Sequence, residues 1–302
     1  MRALRLAWTA PEAAFIEHDI PRPKPGKGEV LILVRAAGIT PTELAWYPTT
    51  HTRDGAVRTG AVLCHEFAGE IVEIGEGVEN LEVEDSIYGM NDWFAEGALA
   101  EYCLTQPGSI APKPERLNHT EAASVPISAL TAWQGLFDRA KLKTGERLLI
   151  LGGAGTVGIF AIQLARRRGA HVIVTASAND LEFAKELGAD EAFDYHAEPL
   201  KDQIRNVDVV FDAVGGEALQ RSLGVLNPNG RVVTIAADSG DQPGFFIVEP
   251  NRDQLIEVGK LIDAGELETF VSAVVPLDEA SDAYTGQVEH KGRGKLVAVI
   301  EP

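Results

Sequence analysis

Apolar and polar positions divide the chain into two regimes. Through residues 1–120 short β-type runs alternate with turn punctuation. Residues 28–36 (GEVLILVRA) read as a strand released by the proline-rich turn PRPKPGKG, and 69–75 (GEIVEIG) mix apolar and acidic residues as a half-buried strand does. Few residues there carry a long helical period, so a twisted, mostly antiparallel domain is expected. Beyond residue 120 strand and helix patterns take turns. Thr120 followed by Glu121 opens a helix through EAASVPISALTAWQGLFDRA, with Pro126 as a kink near its start. RLLILG, HVIVTA, FDY, VDVVFDAV and RVVTIA read as strands, and GIFAIQLARRRG, DLEFAKELG, EALQRSLGVL and NRDQLIEVGKLIDAG as helices. Repeated β-then-α units imply a doubly wound parallel sheet. The closing KLVAVIEP returns to strand character and is expected to pair with the first domain. The expected division is 1–120 with 266–302 for the mostly-β domain and 121–265 for the parallel α/β domain.

A chain of 302 residues has room for two domains at roughly 150 residues each. Its formal net charge of −18 argues against nucleic acid or an anionic membrane as partner, since both are polyanions. No apolar stretch reaches the roughly 18 residues of a membrane span and no signal-type segment opens the chain, so a soluble cytoplasmic protein is expected. Two cysteines, Cys64 and Cys103, build neither a disulfide framework nor a four-cysteine zinc site.

The sharpest motif is Gly153-Ala-Gly155-Thr-Val-Gly158, a G-x-G-x-x-G between the strand RLLILG and the helix GIFAIQLARRRG. Glycines there permit a tight turn and close helix–sheet packing, and let backbone N–H groups approach a pyrophosphate at a helix N-terminus. At the end of the next strand an NAD site usually offers a carboxylate to the ribose hydroxyls. Here that place reads Thr175-Ala176-Ser177-Ala178-Asn179, with no carboxylate before Asp180. Ser177 and Asn179 can donate hydrogen bonds to a 2′-phosphate, which favours NADPH. Asp180 and Glu182 close by, and the lack of Lys or Arg in the loop, keep NADH as the second choice.

GEVLILVRAAGITPTEL, HEFAGEIVEIGEGVENLEVEDSIYG, GALAEYC, AASVPISALTAWQGL, GGAGTVG, LGADEAFDY, VVFDAVGG and GRGKLVAVI together resemble the medium-chain dehydrogenase/reductase superfamily over nearly the whole chain. ISALTAWQGL and FDAVGG look most like its zinc-independent quinone oxidoreductase (zeta-crystallin-like) branch. The resemblance implies a GroES-like catalytic domain beside a Rossmann domain, NADPH in the cleft between them, and reduction of quinones or enone-type double bonds. It carries the phosphate loop onto Gly155, Thr156, Val157 and Gly158, and places Thr131 near the cofactor. Ser177, Asn179 and Tyr195 fall in the expected 2′-phosphate region, with Asn179 where the branch often has lysine. Val214, Gly215, Ala236 and Phe246 to Val248 resemble segments passing the nicotinamide, and Arg293 and Lys295 the closing residues near the cofactor. A homodimer through the Rossmann sheet edge is implied as well.

Zinc alcohol dehydrogenases are similar too, and supply a Cys, a His-Glu pair and a later Cys or Asp to one catalytic ion. His65-Glu66 keeps the pair, but Thr40 stands at the first thiol position and the VPIS stretch offers neither thiol nor carboxylate. One His and one Glu are too few for tetrahedral zinc, so no zinc is expected. In an extended segment Cys64 and His65 would point to opposite faces. His65 reads as a buried structural histidine or as a general acid at a substrate carbonyl. Thr40, in the place of a nicotinamide-proximal branch asparagine, is the first candidate for cofactor or substrate contact. Trp46, Tyr47 and His51 follow in a loop expected to flank the cleft, where Tyr47 or His51 can supply a proton. Tyr88, Met90, Asn91 and Trp93 either face the same pocket or pack conventionally. A zinc-containing alcohol dehydrogenase and a non-catalytic NADPH-binding protein stand as the alternatives.

Overall fold

The computed structural model describes residues 1–9, 12–197, 200–236, 244–289 and 293–301. They form two compact units, Met1–Ile127 with Glu249–Pro302, and Ser128–Val248. Strands β1 (Arg2–Thr9), β2 (Glu12–Asp19), β3 (Val30–Ile39), β4 (Glu66–Ile74), β5 (Ser86–Met90), β6 (Tyr102–Thr105) and β7 (Ile110–Pro112) open the first unit. The second unit holds β8 (Arg147–Leu151), β9 (His171–Ala176), β10 (Glu191–Asp194), β11 (Val207–Asp212) and β12 (Leu226–Thr234). The chain then returns to the first unit with β13 (Val271–Pro276) and β14 (Lys295–Val299).

In the first unit β1 and β2 make an antiparallel hairpin, and the main sheet runs β13-β14-β3-β4-β5-β7, with β6 also pairing β3. As its apolar pattern implies, β14 joins this unit, antiparallel to β3 with Leu296 opposite Ile39. Leu31, Ile32, Phe67, Ile71, Ile87 and Leu99 are fully buried in its interior. The continuous apolar run of β3 is long enough to be covered from both sides, which is why it lies inside the sheet rather than at its edge.

The helix expected from Thr120 is two helices. Asn118 caps the first, His119–Ala123, in a reciprocal box with Glu121. Pro126 then starts a second, Pro126–Trp133, because a residue without an N–H fits a first turn better than an interior. The unit boundary falls inside this second helix. The helix Arg252–Asp263, grouped by sequence with the α/β domain, belongs to the first unit: Tyr88 Oη donates to Leu255 O at 2.6 Å and Arg252 Nη1 to Ile110 O at 2.6 Å. Its amphipathic period reveals a buried face but not which sheet covers that face.

The second unit is all parallel, in the order β10-β9-β8-β11-β12. Consecutive strands leave in opposite directions from β8, so the switch point lies between β8 and β11. The antiparallel GroES-like unit and the Rossmann unit are thus both present. Among the described residues no helix is long and apolar enough to cross a membrane.

Candidate active site

Five loops leave the carboxyl edge of the parallel sheet, and they carry most of the residues singled out in this unit. After β8 the chain turns through Gly152 to Gly155 and enters the helix Thr156–Arg168. Gly155 is its N-cap and no side chain caps it, so the first-turn N–H groups point outward unclaimed by a cap. At Gly158 a Cβ would lie 2.3 Å from Gly152 O, so loop and helix approach each other as only glycine allows. Gly153 is buried against Val174, while Gly155, Thr156 and Val157 remain accessible. Three arginines in the last turn complement the other end of the helix dipole. An open, uncapped N-terminus lined by backbone donors fits a dinucleotide pyrophosphate.

After β9, Ser177 Oγ donates to Asp180 Oδ2 at 2.6 Å. That bond was not anticipated: it takes the hydroxyl proton that a 2′-phosphate would use and brings a carboxylate to the loop. Asn179 is exposed, and Tyr195 after β10 is exposed and packs against the His196 ring. Thr131 is buried within its helix.

Asp212, at the end of β11, has no role in the sequence reading and organises the loop that follows. Its carboxylate accepts from Val214 N at 3.0 Å, Gly215 N at 3.0 Å and Thr234 Oγ1 at 2.7 Å, and it is fully buried. Val214 is thereby held 55% exposed beside the phosphate turn, where a Cβ on Gly152 would meet its Cγ2 at 2.9 Å. An acid closing the strand VDVVFD ahead of AVGG was the available signal. Ala236 follows β12 and is half-buried. Phe246 does not line an opening: its ring is buried against Gly135 and beneath Arg139, leaving backbone as its means of contact. Val248 is buried likewise, and Ile247 between them is exposed.

In the first unit a polar cluster lies where β3, β4 and β14 meet. Glu43, His65, Glu66 and Lys295 are all buried. The Glu43 carboxylate accepts from Cys64 N at 3.2 Å and Tyr284 Oη at 2.9 Å and bonds His65 Nδ1. His65 Nε2 donates to Ala95 O at 3.2 Å. Cys64 adopts φ 63°, so the expected alternation of Cys64 and His65 fails: left-handed backbone turns the amide of one and the ring of the other onto a single carboxylate. A non-glycine residue there costs about 1–3 kcal/mol, offset by the bonds it permits. The Cys64 thiol meets Tyr284 Oη at 3.3 Å, and burial with the nearby Glu43 charge pushes that thiol well above its usual range. Glu43 and Tyr284 were not anticipated; a buried acid three residues after Thr40 gives no local pattern to read.

Glu66 Oε2 accepts from Ile127 N at 2.9 Å. Its Oε1 lies 2.5 Å from Lys295 Nζ, outside hydrogen-bond geometry, so that contact is ionic. Burial pushes the Glu66 carboxyl above the usual carboxylate range, against the pull of Lys295. Lys295 Nζ donates in turn to Thr40 Oγ1 at 2.8 Å, and Thr40 is half-buried. Lys295, expected as a closing residue near the cofactor, thus has its ammonium turned inward, while Arg293 is half-buried just before β14.

Around this cluster Tyr47 stacks on His51 at 4.4 Å, and Trp46 meets Trp93 edge to face at 4.8 Å. Trp93 also lies 5.3 Å from the His65 ring. Tyr47 is 55% exposed and His51 half-buried with Nδ1 on Thr50 Oγ1. Tyr88, Met90 and Asn91 are packing residues rather than pocket lining: all three are buried, and Asn91 Nδ2 donates to Glu96 O and Leu104 O.

The donor set does not fit a catalytic zinc. Both His65 nitrogens are engaged by oxygen partners, Nδ1 by the Glu43 carboxylate and Nε2 by Ala95 O, which fits a buried structural role for this side chain. Thr40 and Glu66 are engaged by an ammonium, whose charge opposes a divalent cation. Among the described residues no three His, Cys, Asp or Glu side chains are placed to hold a metal.

Residues 26–115 match the alcohol dehydrogenase GroES-like domain family, and residues 156–262 the zinc-binding dehydrogenase family. The chain is 31% identical to the chloroplastic NADPH-dependent alkenal/one oxidoreductase of Arabidopsis thaliana, over 95% of this chain and 76% of that protein. It is 29% identical to the chloroplast envelope quinone oxidoreductase homolog of the same plant, over 100% and 98% of the two chains. The solved quinone oxidoreductase from Coxiella burnetii matches with a TM-score of 0.88 at 30% identity, covering 100% of this chain and 99% of its own.

Proposed function

Because this chain belongs to the medium-chain dehydrogenase/reductase superfamily, on its quinone oxidoreductase branch, we propose that it is a zinc-free oxidoreductase that passes hydride from NADPH to quinones or enone-type double bonds. The observation that carries this reading is the pairing of an uncapped glycine cradle for a dinucleotide with a catalytic-unit cluster whose would-be metal ligands are engaged by a lysine and by oxygen acceptors.

When bound, the reduced nicotinamide supplies the hydride. The backbone donors of Gly155, Thr156 and Val157 hold the pyrophosphate, and Asp212 fixes the loop bearing Val214 and Gly215 along which the cofactor runs. Thr131, Ala236 and the Phe246–Val248 backbone complete the second unit's cofactor wall in this reading, and Arg293 is a further candidate contact carried by the first unit. Ser177, Asn179 and Tyr195 receive the adenosine ribose. Asp180 narrows the preference for NADPH over NADH, because its charge opposes a 2′-phosphate. As hydride reaches the acceptor, negative charge grows on the acceptor oxygen and requires a donor. Thr40 is that donor, and Tyr47 and His51 offer a flat aromatic surface with exchangeable protons. The outer edge of β12 ends the parallel sheet and is the surface through which we propose a homodimer forms.

Steady-state assays of chelator-treated protein with NADPH and NADH, across a quinone and enone panel, test the reading. Turnover with at least one acceptor and substoichiometric zinc is expected. Tight NADPH binding without any turnover, or one zinc per chain, refutes it. Light scattering after gel filtration reports the dimer.

A further inference from the structure

The buried cation of the catalytic unit sits one hydroxyl away from the half-buried surface, and nothing in the proposed reaction has yet used it. Lys295 is anchored at β14, its backbone N donating to Phe270 O at 2.8 Å. Its ammonium is clamped between the Glu66 carboxylate and the Thr40 hydroxyl. Thr40 lies at the end of β3 and leads into the short turn Pro41–Ala45. An ammonium has three donors and no acceptor, so the polarity of the Lys295–Thr40 bond is fixed: Nζ gives and Oγ1 receives. A hydroxyl that accepts there keeps its own proton for a second acceptor, and polarisation by the cation makes it a stronger donor.

We propose that Lys295 is a positioning residue that aims and strengthens the Thr40 hydroxyl as the donor to the acceptor oxygen, so that a fixed ammonium supplies through a threonine the positive charge a metal would supply directly. Glu66 holds the ammonium in place through its ionic contact and is itself fixed by Ile127 N. This rests on the reductase reading above and adds to it the group that acts behind Thr40.

Thr40→Val, Lys295→Met and the double variant T40V/K295M form a cycle. Each single change should lower kcat by about 100- to 1000-fold, the range for losing one donor to a developing oxyanion, with the NADPH dissociation constant within twofold of wild type. If Lys295 acts through Thr40, the double variant loses no more than T40V alone; multiplied losses overturn the proposal. Lys295→Met leaves Glu66 buried without its cation, so the change is also made as K295M/E66Q, in which neither charge remains, and each variant's urea midpoint is measured beside its kcat. T40S should restore most of kcat, since it keeps the hydroxyl. A readout without turnover accompanies these: 15N-detected NMR of the lysine ammonium groups should show one slowly exchanging ammonium, absent in K295M and shifted in T40V. No such signal, or one insensitive to T40V, overturns the Lys295–Thr40 bond itself. A wild-type protein that shows the coupled ammonium yet reduces no acceptor instead overturns the reductase reading, and the role in catalysis with it.

Discussion

Replacing Asp212 separates a carboxylate that organises the cofactor edge from one that merely fills space. Three donors converge on it: the Val214 and Gly215 amides and the Thr234 hydroxyl. In Asp212→Ala the hydroxyl can turn to Ala236 O, 3.3 Å away, but the two amides lose their acceptor. At about 1–3 kcal/mol for each orphaned donor, loop order falls by about 4 kcal/mol. In Asp212→Asn one oxygen still receives both amides, the side-chain NH2 donates to Thr234 Oγ1, and the cost shrinks to about 1–2 kcal/mol. Amide hydrogen exchange at Val214 and Gly215 reads this locally and is indifferent to how the two units unfold. Protection should fall by about a thousandfold in D212A and by about tenfold in D212N. Because Val214 lies against the phosphate turn, the NADPH dissociation constant in D212A should rise about tenfold, followed by quenching of protein fluorescence. Unchanged exchange in D212A would refute the assignment of Asp212 as the organiser of this loop.

Three further outcomes are expected. Gly158→Ala drives a methyl to within 2.3 Å of Gly152 O, so it should cost about 1–3 kcal/mol of stability and weaken NADPH binding at least tenfold, measured by urea unfolding and titration. Asp180→Asn removes a carboxylate from the 2′ region, and one such charge within about 5 Å of a phosphate dianion is worth about 1–1.5 kcal/mol, so NADPH should gain about tenfold over NADH in kcat/KM. Cys103 is buried and its thiol pKa is raised by that burial. The folded state then keeps a proton that the unfolded chain releases above pH 9, so stability present below that pH is lost as pH rises, by up to about 1.4 kcal/mol per pH unit. Cys103→Ser should flatten the decline of urea midpoints between pH 9 and 10 by one such increment.

What sequence exposes and what it hides follow from range. The Rossmann strands, the glycine turn and the return of 295–299 to the first unit are legible because periodicity and glycine spacing are local properties. The Gly153–Gly158 turn sits where it was expected, at the end of β8. The grouping of Arg252–Asp263 was not legible, since an amphipathic helix does not announce its partner sheet. Nor was the state of His65: CHEFAG does not say that Glu43 and Ala95 will claim both ring nitrogens. The Ser177 hydroxyl could be read as a phosphate donor, but its donation to Asp180, three residues on, could not. Phe246 was carried over with its segment by resemblance, which places a stretch of backbone but does not say that this ring packs against Gly135 beneath Arg139.

The distance in sequence between Thr40 and Lys295, 255 residues, also sets a schedule for biosynthesis. At about 5–20 residues per second, β3 leaves the ribosome roughly 13–50 s before the strand that completes its sheet. During that interval β4 and β6 can cover part of β3, but the stretch Ala36–Ile39 that pairs with β14 keeps a bare apolar edge, the kind that recruits other chains. The intervening α/β unit needs nothing from downstream and can mature first. A circular permutant that translates β13 and β14 ahead of β1 would abolish the wait, and a nascent chain arrested before residue 295 should be the form most dependent on chaperones.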